Sequence, residues 1–211
     1  MLLVKYTKWY IFVSVTKGER TRQQIIEVTA PLFNTKGYEG TSMADLCNAT
    51  GLTKGAIYGS FENKEELSKA AFQYAINQMR SFGSEGMKGK KTYKEKLFAL
   101  LEFFTRYVLD PPVKGGCPLM NTAVEADDHR IWMKKIVADE LQNSITHMTQ
   151  LIDHGKQAGE FGPEIKSRET ALFFFCAIEG AIMFSRVSSS EEAMKAVVKN
   201  IRNIVDSYSL N

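Results

Sequence analysis

Three sets of side chains in this sequence could do chemistry, and their spacing sorts them. Cys117 with His129, His147 or His154 would supply a nucleophilic site, but no nucleophile elbow, phosphate-binding loop or dinucleotide fingerprint accompanies them. His147 and His154 stand seven apart on one helical face, about 10 Å along the axis, too far to bind one metal directly. Cys47, Cys117 and Cys176 are odd in number, scattered and without CxxC spacing. That argues against a disulfide framework or structural zinc and fits a reducing cytoplasm. Neither a metal nor a cofactor is expected, and the chain does not read as an enzyme. The third set is small and basic: Thr53, Lys54, Gly55, Ala56, Ile57, Tyr58, Gly59 and Ser60. Small residues bring a helix backbone close to a surface, Lys54 adds positive charge, and Ala56 can meet a thymine methyl. This is chemistry for the groove of a nucleic acid.

Such residues need a rigid mount, and the flanking sequence predicts one. Ser42 with Asp45 three later caps a short helix, Met43 to Thr50, which Gly51 closes; Thr53 caps a second, running from Lys54 to about Ser60. Leu46 and Leu52 can bury in the hub that the two share. Two short helices about a glycine turn form a helix-turn-helix, whose second helix enters the major groove. Upstream, Ile25, Val28, Thr29, Leu32 and Phe33 mark one face of a first helix, with Pro31 expected to weaken a turn and Gly37 to end it. Asn63 with Glu66 opens a fourth helix through Tyr74. Periodic apolar residues predict further helices near 97–108, from Pro118, and over 128–157, 167–186 and 190–208. Strand-like alternation is absent, so the fold class is all-α.

The stretch from Thr21 to Phe72, including K-G-Y-E-G-T-S-M-A-D-L and G-L-T-K-G-A-I-Y-G-S-F-E-N-K-E-E-L, resembles the DNA-binding domain of the TetR family of transcriptional regulators. The match is continuous over about fifty residues, dense enough to set aside an accidental turn in a helical core. The resemblance implies a helix-turn-helix domain joined to a larger helical domain that binds a small molecule and dimerises. It also implies that Thr53, Lys54, Gly55 and Ala56 read the groove, and that Tyr58, Lys64, Thr41 and Ser42 hold phosphates. Arg20 and Arg22 are candidates for backbone or minor-groove contacts. Where family members often carry His, this chain has Ser60, so one phosphate contact is shorter or absent. The expected partners are palindromic operator DNA, a small-molecule effector and a second copy of the chain.

The domains expected are an apolar extension over 1–16, the DNA-binding domain over 17–62, a connecting helix over 63–81, and a ligand-binding and dimerisation domain over 92–211. Residues 82–91, rich in Gly and Lys, read as a flexible connection or a helix break. In the last domain, Gly116-Cys117 followed by Asn121 resembles a G-C-x-x-x-N element of one branch of the family. That makes Cys117, Met120 and Asn121 pocket candidates, with Phe103, Phe104, Tyr107, Trp132 and Phe174 as apolar walls. Cys117, at a helix start, also opens a second reading as a thiol sensor of oxidants or electrophiles. The 167–186 helix is apolar nearly all round and must be covered on both sides. Phe173, Ala177, Gly180, Ala181 and Phe184 are therefore dimer candidates, joined by Met194, Val197, Val198 and Ile201 of the last helix.

Bulk composition agrees. The chain has 211 residues, 44% hydrophobic and 24% charged, so it can build a substantial core. A net charge of +3 leaves DNA affinity to local placement of cations. No apolar run is expected to span a bilayer. The first fifteen residues, MLLVKYTKWYIFVSV, lack a cleavage site and read as an upstream start, with the native chain beginning near Val13 or Val15. A membrane-surface module built on them is the remaining alternative.

Overall fold

A helix starts wherever this chain offers a side-chain cap, and most of the early caps also carry the reciprocal acidic residue. The computed structural model describes residues 16–126 and 130–210. The apolar extension and its start site therefore lie outside the described residues, apart from Thr16, as does His129. Among the described residues there are nine helices and no strand; one isolated bridge joins Phe161 and Ser209. They are α1 Lys17–Gly40, α2 Met43–Thr50, α3 Lys54–Tyr58, α4 Lys64–Met87, α5 Tyr93–Tyr107, α6 Pro118–Ala126, α7 Ile131–Gln157, α8 Ser167–Ser188 and α9 Glu192–Tyr208. Capping boxes open α1 (Thr16 with Glu19), α2 (Ser42 with Asp45) and α5 (Thr92 with Glu95). Pro31 is carried within α1 without leaving helical geometry. The only non-helical residue inside that helix is Gly37, at φ 73° and ψ 176°.

Two cores result. The N-terminal head, α1 to α3 with the start of α4, closes around Ile25, Phe33, Leu46, Ile57, Phe61 and Leu67. The larger body packs α5 to α9 with the rest of α4 around residues such as Leu101, Tyr107, Leu119, Ile152, Phe174 and Ile182. Helix α4 serves both cores: Leu67, Ala71 and Ala75 face the head, while Phe72 and Ile76 face the body. It is one uninterrupted helix to Met87, so the break expected from residue 82 is displaced to 88–92. Gly83 packs against Leu100 and Phe103 of α5 within the helix, and a β-carbon there would make ordinary contacts at 3.6 Å, so packing does not require a glycine.

Helix α8 departs from expectation twice. It is long and apolar enough to cross a membrane by length and composition, although no such run was expected. Its inner face nevertheless packs on α7 and α9 through Ala171, Phe174, Ile178, Ala181 and Ile182. Its outer face is largely bare: Leu172 (41% exposed), Phe173 (56%), Met183 (52%), Phe184 (56%) and Val187 (85%) stand open to solvent, the Phe173 ring meeting only that of Phe174, on the same helix, among the ring contacts of the described residues. Gly180 lies on that face with open space beyond its α-carbon. Ala181 points inward, so it is not available to a partner. The same correction applies to Met194, Val198 and Ile201. They are buried in the body's own core, because the apolar stripe of α9 is used up against α5 and α8. Val197 and Ala177 are half-buried.

Candidate nucleic-acid interface and effector site

The turn between α2 and α3 is set by Gly51 at φ 69°, ψ 13°, a left-handed conformation that lets its N–H donate to the Cys47 carbonyl at 2.9 Å. Thr53 then caps α3, accepting from the Ala56 N–H at 3.2 Å. With Ile57 buried in the head, Thr53, Lys54, Gly55, Ala56 and Tyr58 share the exposed side. A β-carbon added to Gly55 would meet nothing within 4 Å, and its backbone is not in the left-handed region. Packing within the chain therefore gives no reason for a glycine there. Lys54 lies 5.8 Å over the Tyr58 ring, which keeps both at one edge of the helix.

The surrounding candidates divide. Ser42 is exposed, its hydroxyl shared with Asp45. Lys36 first, and then Ser42, hold the Asp45 carboxyl well below the usual carboxylate range. Arg20 is exposed at the start of α1. Thr41, by contrast, is fully buried and donates to the Gly37 carbonyl at 2.6 Å, so its side chain cannot hold a phosphate. Arg22 is equally committed: its guanidinium bonds the Ser60 carbonyl, pairs with Glu66 at 2.7 Å and stacks 4.0 Å over Phe61. It is a brace joining α1 to the start of α4. Lys64 leans over the Tyr38 ring at 4.3 Å, and partial burial pulls its pKa down against the opposing pull of Glu125.

In the body, Cys117 is fully buried and its thiol donates to Glu179 Oε1 at 3.1 Å. Burial, and then the Glu179 charge, push the thiol well above its ordinary pKa, outweighing the N–H groups of Met120 and Leu119 at the α6 start. A thiolate is disfavoured there, which weakens the sensor reading. Glu179 was missed in the sequence, where it is one acid in an apolar helix. Burial raises its pKa, with the Cys117 thiol pulling the other way, and its enclosed Oε2 has no hydrogen-bond partner among the described residues. Tyr107, itself buried, belongs to the same electrostatic cluster, and Phe103 and Phe104 each meet its ring edge-on. Phe103, Phe174 and Cys117 are thus core members around a polar centre, and Met120 is packed at their edge.

Asn121 and Trp132 lie elsewhere. The Asn121 amide donates to the Asn34 carbonyl (2.9 Å), to Asn34 Oδ1 (3.1 Å) and to the Gly115 carbonyl (2.9 Å). Asn34 in turn donates to the Gly116 carbonyl at 2.9 Å. Gly115, at φ 120°, comes so close that a β-carbon would fall 2.7 Å from Asn34. Asn121 is a tie between body and head rather than a pocket wall. Trp132 meets Tyr38 edge-on at 5.5 Å and lines a crevice between head and body with Phe33, Ser68, Phe72 and Met133. Its free volume, ≈ 20 Å³, is room for about one water. Among the described residues no cluster of His, Cys, Asp and Glu could hold a metal.

Comparison with known proteins agrees with this geometry. Residues 25–71 match the family model for bacterial regulatory proteins of the tetR family, and residues 94–201 match that for the tetracyclin repressor-like C-terminal domain. A TetR transcriptional regulator from Chloroflexus aurantiacus is 34% identical, superposing with a TM-score of 0.87 over 92% of this chain and 98% of that one. A TetR-family regulator from Cytophaga hutchinsonii is 35% identical, with a TM-score of 0.86 over 94% and 99%. The HTH-type transcriptional regulator TtgR of Pseudomonas putida is 25% identical over 79% of this chain and 80% of its own length.

Proposed function

Because this chain belongs to the TetR family of DNA-binding transcriptional regulators, which are not enzymes, we propose that it is a repressor released from its operator by a small molecule bound in the body. The carrying observation is the exposed side of α3, where Gly55 has open space in front of it between Thr53, Lys54, Ala56 and Tyr58. Thr53, Lys54, Gly55 and Ala56 read base edges; Tyr58, Ser42 and Arg20 meet the backbone. Two copies pair through the bare face of α8, with Phe173, Gly180 and Phe184 at its centre, giving two heads for a two-fold operator in the cytoplasm. The effector site is the cluster of Cys117, Glu179, Tyr107, Phe174 and Phe103, in the branch of the family marked by Gly116-Cys117 and Asn121. The unpartnered Glu179 oxygen supports an effector that donates a hydrogen bond there. Ligand favours a dimer whose heads no longer match successive major grooves.

The test is selection of DNA from a random pool by the purified chain, followed by reporter assays on the promoter the selected sequence identifies. A two-fold symmetric site whose occupancy lowers transcription is expected. Recovery of unrelated or asymmetric fragments would sink the operator reading.

A further inference from the structure

Head and body are joined along α4 and across a seam between α1 and α6, and one contact of that seam is not among those described above. Helix α4 runs through both cores, and Asn121 ties α6 to Asn34 of α1. One turn further along both helices, Glu125 of α6 reaches the end of α1. Its two carboxylate oxygens accept from the backbone N–H groups of Tyr38 at 2.6 Å and Glu39 at 2.7 Å. Gly37 makes this possible. At φ 73° it turns successive N–H groups toward one point, a small anion cradle, and a β-carbon there would fall 2.8 Å from the carboxylate. The surroundings hold the same segment: Arg130 pairs with Glu39 and lies 4.5 Å over the Tyr38 ring, opposed by Lys64 at 4.3 Å. From this cradle the chain passes straight to Thr41 and to Ser42, the cap of α2.

An attachment at the far end of α1, beyond those made by α4 and Asn121, restrains how the head sits on the body. We infer that Glu125 is a positioning residue that locks the angle of the reading head on the body, and thereby the half-site spacing that the dimer accepts. The inference rests on the reading of this chain as a dimeric DNA-binding regulator. Charge-assisted bonds to two main-chain donors are strong enough to hold the angle and few enough to be released by a shift of α6.

The test uses the DNA that the full-length wild-type chain selects, remade with one or two base pairs added to or removed from its centre. Each base pair turns a half-site by roughly a tenth of a helical turn. Wild-type protein should lose about tenfold or more in affinity on the altered spacings, and E125A less than about threefold, with similar melting temperatures. E125Q, with one acceptor oxygen for two donors, should flatten the preference too, and it serves if E125A does not fold. Full spacing discrimination in the folded variant overturns the inference while leaving the DNA-binding reading intact. Failure of the wild type itself to select any DNA overturns both.

Discussion

The head and the body each leave one surface unused by the chain, and the two surfaces have opposite chemistry. On the head the bare side of α3 is small, polar and basic, with space in front of Gly55. On the body the bare side of α8 is aromatic and aliphatic, from Leu172 to Val187. A groove lined with hydrogen-bonding base edges and phosphates suits the first. A second apolar face suits the second, since each exposed phenylalanine gains about 2 kcal/mol on burial. The proposed reading assigns these two bare surfaces to two different partners, DNA and a second copy of the chain.

This contrast can be broken at either end. The largest effect is expected from Gly55→Leu. The fold has room for the side chain and melting should be unchanged, while operator affinity drops to the non-specific level, a loss on the order of a thousandfold or more by fluorescence anisotropy. A tightly binding G55L would show that α3 does not enter the groove. Next is Phe173→Asp with Phe184→Asp, which places carboxylates on the bare face of α8. Light scattering should report a halved mass at micromolar protein, the dimer weakening by about a hundredfold or more; an unchanged mass moves the interface elsewhere. Asn121→Ala then tests the tie between the two regions. It strips Asn34 and Gly115 of a shared donor, at roughly 1–3 kcal/mol, so the melting temperature should fall by several degrees. A neutral result would make the tie incidental.

The smallest effect distinguishes the buried polar centre of the body from the solvated acids of the head. The folded-state pKa of Glu179 is raised, so the folded protein holds its proton more tightly than the unfolded chain. Stability from this group is therefore full below the ordinary carboxylate value and declines as pH climbs through the raised one. Glu179→Gln removes that loss. Its melting temperature should exceed that of the wild type at pH 8, with the gap closing below the ordinary carboxylate value of 4.5. Asp45 behaves oppositely: Lys36 and Ser42 hold its pKa down, so what it contributes is present at neutral pH and lost in acid.

Legibility follows the same divide. The head could be read from the sequence because its signals are local: a cap three residues from its acid, a glycine after the last turn, a leucine at 46 where the hub needs one. What failed there was contact across elements. Nothing near Arg22 announces that its guanidinium is taken by Ser60 and Glu66, nor near Thr41 that it is buried. In the body the periodicity of α9 was correct, yet a stripe does not say which neighbour it faces, so Met194, Val198 and Ile201 were assigned outward when they point inward. The partners of Glu179 and Glu125 could not be read, because a residue 62 or 87 positions away leaves no mark on an acid's own surroundings. For 82–87, composition misled: the glycines there are accommodated by packing on α5.

The bare face of α8 also bears on how much of the protein a cell must make. In the proposed dimer one copy carries one reading head and grips half a site. At concentrations below the dissociation constant of the pair, occupancy of a two-half-site operator rises with the square of the chain's concentration. In the proposed pairing a modest fall in abundance empties the operator more than proportionally, so an interface at Phe173 and Phe184 would also set a threshold on expression.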